Sequence, residues 1–84
     1  MDKQTLVRDL RNAAGGKTDF LPIKGIAEYT GMGRETIRAL MYGVPYYPNG
    51  RFKLYHIRDI ADRLMERMTT AERAYRRGEG SQNG

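Results

Sequence analysis

Between Ile23 and Leu40 the apolar residues keep helical spacing on both sides of a glycine. Ile23, Ile26 and Ala27 fall on one helical face, Gly31 interrupts, and the spacing resumes at Ile37, Leu40 and Met41. Two short helices joined by a tight turn satisfy that pattern, because glycine accepts the left-handed backbone such a turn requires. The remainder of the chain can then be read by asking what supports this pair.

With 84 residues the chain forms one domain at most, and a chain of this size buries only about 60 to 65% of its unfolded surface. It has no cysteine, which removes disulfide staples, thiolate metal sites and thiol catalysis and leaves packing to supply stability. No apolar run approaches the ~20 residues needed to cross a bilayer, and Met1 to Asn12 is charged throughout rather than signal-like. The expectation is a soluble, cytoplasmic protein. Fifteen Lys and Arg against ten Asp and Glu give a formal charge of +5, which suits an anionic partner. Its distribution is the stronger signal. No acidic residue lies between Glu35 and Asp59, whereas Arg38, Arg51, Lys53 and Arg58 all do.

In chain order, Asp2 is placed to cap a first helix whose stripe is Leu6, Val7, Leu10, Ala13 and Ala14 and whose end is Gly15-Gly16. Lys17 to Phe20 reads as a connector. Pro22 suits the very start of the next helix, about Ile23 to Tyr29, since its missing N–H is unneeded there. Gly33 precedes the following helix and is a weaker cap than serine or asparagine. After Met41 the period changes. Asn49-Gly50 is a strong hairpin signal, and a two-stranded ribbon is expected from about Val44 to Tyr55, with Phe52 and Leu54 on one side and Arg51, Lys53 and Tyr55 on the other. Tyr46, Tyr47 and Tyr55 are read as packing for that ribbon. His56 is a poor cap for a last helix with the stripe Ile57, Ile60, Ala61, Leu64, Met65 and Met68. The expected boundaries are 1–18 for an accessory helix and connector, 19–68 for the main domain, 69–77 for a helical extension beginning with a capping-box pattern, and 78–84 for a disordered tail.

This order of elements resembles the small winged helix-turn-helix proteins of the excisionase and MerR-type families. Ala27, Gly31, Ile37 and Leu40 match the small residue, turn glycine and two core residues of the helix-turn-helix pattern. Arg34-Glu35-Thr36-Ile37-Arg38 looks like the start of a MerR-type recognition helix, Asn49-Gly50-Arg51-Phe52-Lys53-Leu54 like the basic wing of excisionases, and Ile57-Arg58-Asp59-Ile60 like the closing helix of both. The similarity spans about Phe20 to Leu64. Pro22 and Gly33 depart from it by standing where these families usually place a hydroxyl cap. With about twenty residues after Leu64, there is little room for the dimerisation helix and effector-sensing segment of a MerR regulator, so the excisionase-like reading fits better. The fold so implied is mainly α with a small β-hairpin.

The resemblance places the second helix in the major groove with its early residues at base edges. Arg34, Thr36 and Arg38 are then the candidate readers, with Glu35 either accepting from a cytosine amino group or pairing with Arg38 or Arg34. Arg51 and Lys53 on the wing, Lys24 at a helix start and Arg58 are the backbone-contact candidates. The function implied is sequence-specific binding of double-stranded DNA by an excisionase-like recombination directionality factor of a mobile element or phage. Its partners would be a recombinase (integrase) or further copies on adjacent sites, and a small transcription regulator would use the same surface. No cofactor or metal is called for. An enzyme finds little support: His56 is the only histidine, and Gly31-Met32-Gly33 lacks the preceding strand and third glycine of a phosphate loop. The rival of another class is a protein-interaction module using Ile60, Leu64 and Met68 with Met65.

Overall fold

The computed structural model describes residues 2–67. In chain order these form helix α1 (Lys3–Ala13), strand β1 (Phe20–Pro22), helices α2 (Ile23–Thr30) and α3 (Arg34–Leu40), and strands β2 (Tyr47–Asn49) and β3 (Phe52–His56). A fourth helix, α4, starts at Ile57 and is described over 57–67. The arrangement is α+β and mainly helical. Met68, the extension at 69–77 and the tail at 78–84 lie outside the described residues. Within those residues no helix is long and apolar enough to cross a membrane.

The α1 cap forms as its sequence implies: Asp2 Oδ1 accepts from the Thr5 backbone N–H at 2.7 Å. Leu6 and Leu10 of this helix are buried, whereas Ala13 is exposed. On its outer side Lys3 pairs with Asp62 of α4 at 2.6 Å, and Arg11 Nη2 pairs with Asp19 at 2.7 Å. Exposed pairs of this kind contribute about 0–1 kcal/mol each, so the helix is held mainly by its leucines.

Gly31 closes α2 with φ of 76° and donates its N–H to Ala27 O at 2.8 Å. Thr30 also stabilises the turn. Its hydroxyl donates to Ile26 O at 2.9 Å and accepts from Met32 N–H at 3.2 Å. Gly33 then stands at the cap position of α3 without any side-chain hydrogen bond. Ile26, Ala27 and Ile37 face inward and meet Leu21, Met41, Val44 and Tyr55, with Ile57, Ile60, Ala61 and Leu64 of α4 completing the core. Burying a side chain of this size stabilises by about 1.5–3 kcal/mol relative to exposure.

The sheet differs from the expected ribbon in three respects. It has three antiparallel strands in the order β1-β3-β2, because Phe20–Pro22, read as connector and helix start, pairs with β3 through Leu21 opposite Tyr55 and Pro22 opposite Leu54. Pro22, without an N–H, is tolerated because β1 is an edge. The hairpin strands are also shorter than Val44–Tyr55. Its loop is Gly50-Arg51 rather than Asn49-Gly50, since Asn49 pairs with Phe52. Only Gly50 has positive φ, at 63°, which matches a turn with glycine at the first central position.

The expected alternation along β3 holds, and it is Tyr55 that turns inward. It is buried beside Leu21, while Phe52 on the other face is exposed. Tyr46 and Tyr47 pack on the sheet, against Tyr55 and Phe20 respectively with ring centroids 6.0 Å apart in each case, but add little to the core, being 49% and 66% exposed. His56 caps better than its residue type suggests: its Nδ1 accepts from Arg58 N–H at 3.1 Å, with its ring edge-on to Phe20 at 5.2 Å. Ile60 and Leu64, offered above as a docking face, are 0% and 4% exposed and belong to the chain's own core.

Candidate nucleic-acid interface

A broad concavity lies between α3, the following loop and the β2–β3 ribbon. Its floor is apolar, with Met41, Val44 and Tyr55 at the base. The start of α2 contributes Lys24, α3 contributes Arg34 and Arg38, and the ribbon contributes Arg51 and Lys53. Five of the eight residues singled out from the sequence therefore line one groove, and no carboxylate shares the lining.

Local structure accounts for this convergence. Arg34 and Arg38 are four apart on α3 and so share one face of that helix, while Ile37 on another face is fully buried and fixes the helix in rotation. Lys53 alternates with Leu54 and shares the face of Tyr55, so burial of Tyr55 directs Lys53 to the same side. Lys53 Nζ lies 4.9 Å from the Tyr46 ring centroid, and that ring is 6.0 Å from Tyr55. A cation–π contact at an exposed site is worth about 0.5–1 kcal/mol, enough to bias where the lysine rests without removing its charge. Desolvation raises the Tyr55 hydroxyl above its ordinary pKa, with a smaller contribution from Tyr46, so the Tyr55 ring carries no charge into the groove floor.

The remaining candidates are placed differently. Glu35 Oε1 accepts from Arg38 Nη1 at 2.5 Å across one helical turn, and its own side chain is 90% exposed. Thr36 is half-buried on α3 and is not part of the groove lining. Arg58 occupies a separate depression with Val7, Arg11, Asp19, His56 and Ile57.

Charge pairing distinguishes the groove from the α1 side. On α1, Lys3, Arg8 and Arg11 each have an aspartate partner. In the groove only Arg38 has a carboxylate partner among the described residues; Lys24, Arg34, Arg51 and Lys53 have none. Such an array is suited to neutralising several closely spaced anionic groups at once. No group of three or more His, Cys, Asp or Glu among the described residues is placed to hold a metal ion.

The sequence pattern singled out neither Tyr42 nor Gly43, and both belong to the lining. Tyr42 follows α3, lines the groove and is 85% exposed. Its signal was available in the four-residue spacing Arg34, Arg38, Tyr42, had that stripe been continued past Leu40. Compared with family models, with curated proteins and with solved structures, the chain matches none.

Proposed function

We propose that this chain is a winged helix-turn-helix protein that binds double-stranded DNA, with α2 and α3 as the two-helix unit and the β2–β3 ribbon as the wing. The observation that carries the reading is the convergence of Lys24, Arg34, Arg38, Arg51 and Lys53 on one groove without a carboxylate in its lining. An enzyme or small-molecule site would be expected to combine a few placed polar groups with apolar walls. Five cations from three separate elements suit a polyanion better.

In this reading α3 lies in the major groove, with Arg34 and Arg38 at base edges, and Arg51 and Lys53 hold the neighbouring phosphate backbone. Lys24 at the start of α2 adds a further backbone contact. Within this class the role proposed is that of an excisionase-like recombination directionality factor, several copies bending DNA for a recombinase.

Two substitutions separate readout from grip. Arg38→Ala should lower affinity for sites selected from a randomised duplex pool by roughly tenfold or more and flatten the selected preference, because one bidentate base contact discriminates by about 1–3 kcal/mol. Arg51→Ala should weaken selected and random duplexes by a similar factor. Fluorescence anisotropy on both duplex sets measures this. Both variants binding like the parent would place the interface elsewhere.

A further inference from the structure

Among the described residues Tyr42 is the most exposed of the large apolar side chains, at 85%, against 66% for Tyr47 and 58% for Phe52. An isolated exposed tyrosine needs no explanation; its position here is what carries weight. The backbone continues coiled beyond the last residue of α3, with Met41 N–H donating to Ile37 O at 2.9 Å and Tyr42 N–H to Ala39 O at 3.3 Å. Tyr42 therefore prolongs the row begun by Arg34 and Arg38, and all three line the groove. Gly43, with φ of 83°, then turns the chain away. From Arg34 to Tyr42 the helical rise amounts to about 12 Å, or about three to four base steps at ~3.4 Å each.

We propose that Tyr42 is the apolar anchor of the interface, its ring packing on base edges at the far end of the row that Arg34 begins. The inference rests on the DNA-binding reading above and adds a chemically distinct contact to it. Tyrosine combines a large rigid ring with few rotatable bonds, so burying it on binding orders little. Apolar contact with a thymine methyl is one of the ways a major groove is read. Since the ring neutralises no phosphate, it contributes to affinity without releasing counterions.

This separates Tyr42 from its arginine neighbours in a single experiment. Binding of a fluorescein-labelled random 20-bp duplex is followed by anisotropy across a salt series for the parent, Y42A and Y42F. Y42A should bind about tenfold more weakly, as partial burial of a large ring implies, with the slope of log affinity against log salt unchanged. Y42F should bind as the parent does. The chain has no tryptophan, so Y42W supplies a single reporter, whose emission should change on adding unlabelled duplex with the same midpoint as the anisotropy. Y47W, outside the groove lining, should show no change. Circular dichroism checks that each variant is folded, which the exposure of Tyr42 favours. Parent-like binding by Y42A, a Y42F loss equal to that of Y42A, or unchanged Y42W emission while anisotropy reports binding would each overturn the role of the ring and leave DNA binding standing. A parent that binds no duplex at low salt overturns both.

Discussion

Glu35 and Arg38 form an exposed ion pair on α3, with a contact of 2.5 Å, and its contribution to stability is small, about 0.3–0.5 kcal/mol for helical neighbours. Its consequence for binding is larger. Glu35 holds one negative charge beside a cationic groove and engages the guanidinium proposed to read bases. Approach of a phosphate to Arg38 is opposed by that carboxylate, whereas a base offering both donors and acceptors can satisfy the pair together. Glu35→Gln should therefore raise affinity for random duplexes severalfold, steepen the salt dependence and narrow the ratio between selected and random sites. Competition titrations at two salt concentrations measure that ratio, and an unchanged ratio would mean that Glu35 takes no part in discrimination. At this scale the sequence was informative wherever a residue's surroundings are local: Asp2 caps through Thr5, three residues away, and Gly31 turns within its own helix end. It was uninformative for His56, whose capping depends on which ring nitrogen faces Arg58.

The two-helix unit depends on one turn, and that turn on Gly31. A Cβ there would meet nothing within 4 Å, so the cost of Gly31→Ala is conformational, arising from φ of 76°. About 1–2 kcal/mol of destabilisation is expected, measured as a lower urea midpoint with an unchanged m-value. Helix α1 responds to pH instead. The Thr5 backbone N–H holds the Asp2 carboxyl below its ordinary pKa. A lowered folded-state pKa gives stability that is present above the unfolded-state value and lost as pH falls through the folded-state one. Helicity of α1 should accordingly decline on acidification below the ordinary carboxylate range, and Asp2→Asn, which keeps an oxygen acceptor, should show less pH dependence there. Elements made by local periodicity, α1 to α4, were legible from the sequence. Strand β1 was not, because three residues show no alternation and Phe20–Pro22 becomes a strand only through pairing with distant β3. The hairpin was legible as a hairpin but not in register, since Asn49-Gly50 and Gly50-Arg51 are both acceptable loops and the pairing of Asn49 with Phe52 decides between them.

Across the whole molecule, the net charge of +5 matters less than its segregation. Cations on α1 are paired with aspartates, and those of the groove are mostly unpaired among the described residues. The acid-free interval from Thr36 to Arg58 anticipated this asymmetry along the chain. It did not anticipate that Arg58 would lie apart or that Lys24, outside the interval, would join the groove, because both depend on how α2 and α4 pack around the sheet. The same packing places Ile60 and Leu64 in the core, so closing the fold takes up the face that a protein-interaction module would have used. The measurement that tests the account most directly is the salt dependence of duplex binding. With Lys24, Arg51 and Lys53 each neutralising a phosphate while Arg34 and Arg38 face base edges, log affinity for a random 20-bp duplex should fall against log salt with a slope of about −2 to −3. A slope near zero, or no binding to any duplex at low salt, would contradict the assignment of this groove to DNA.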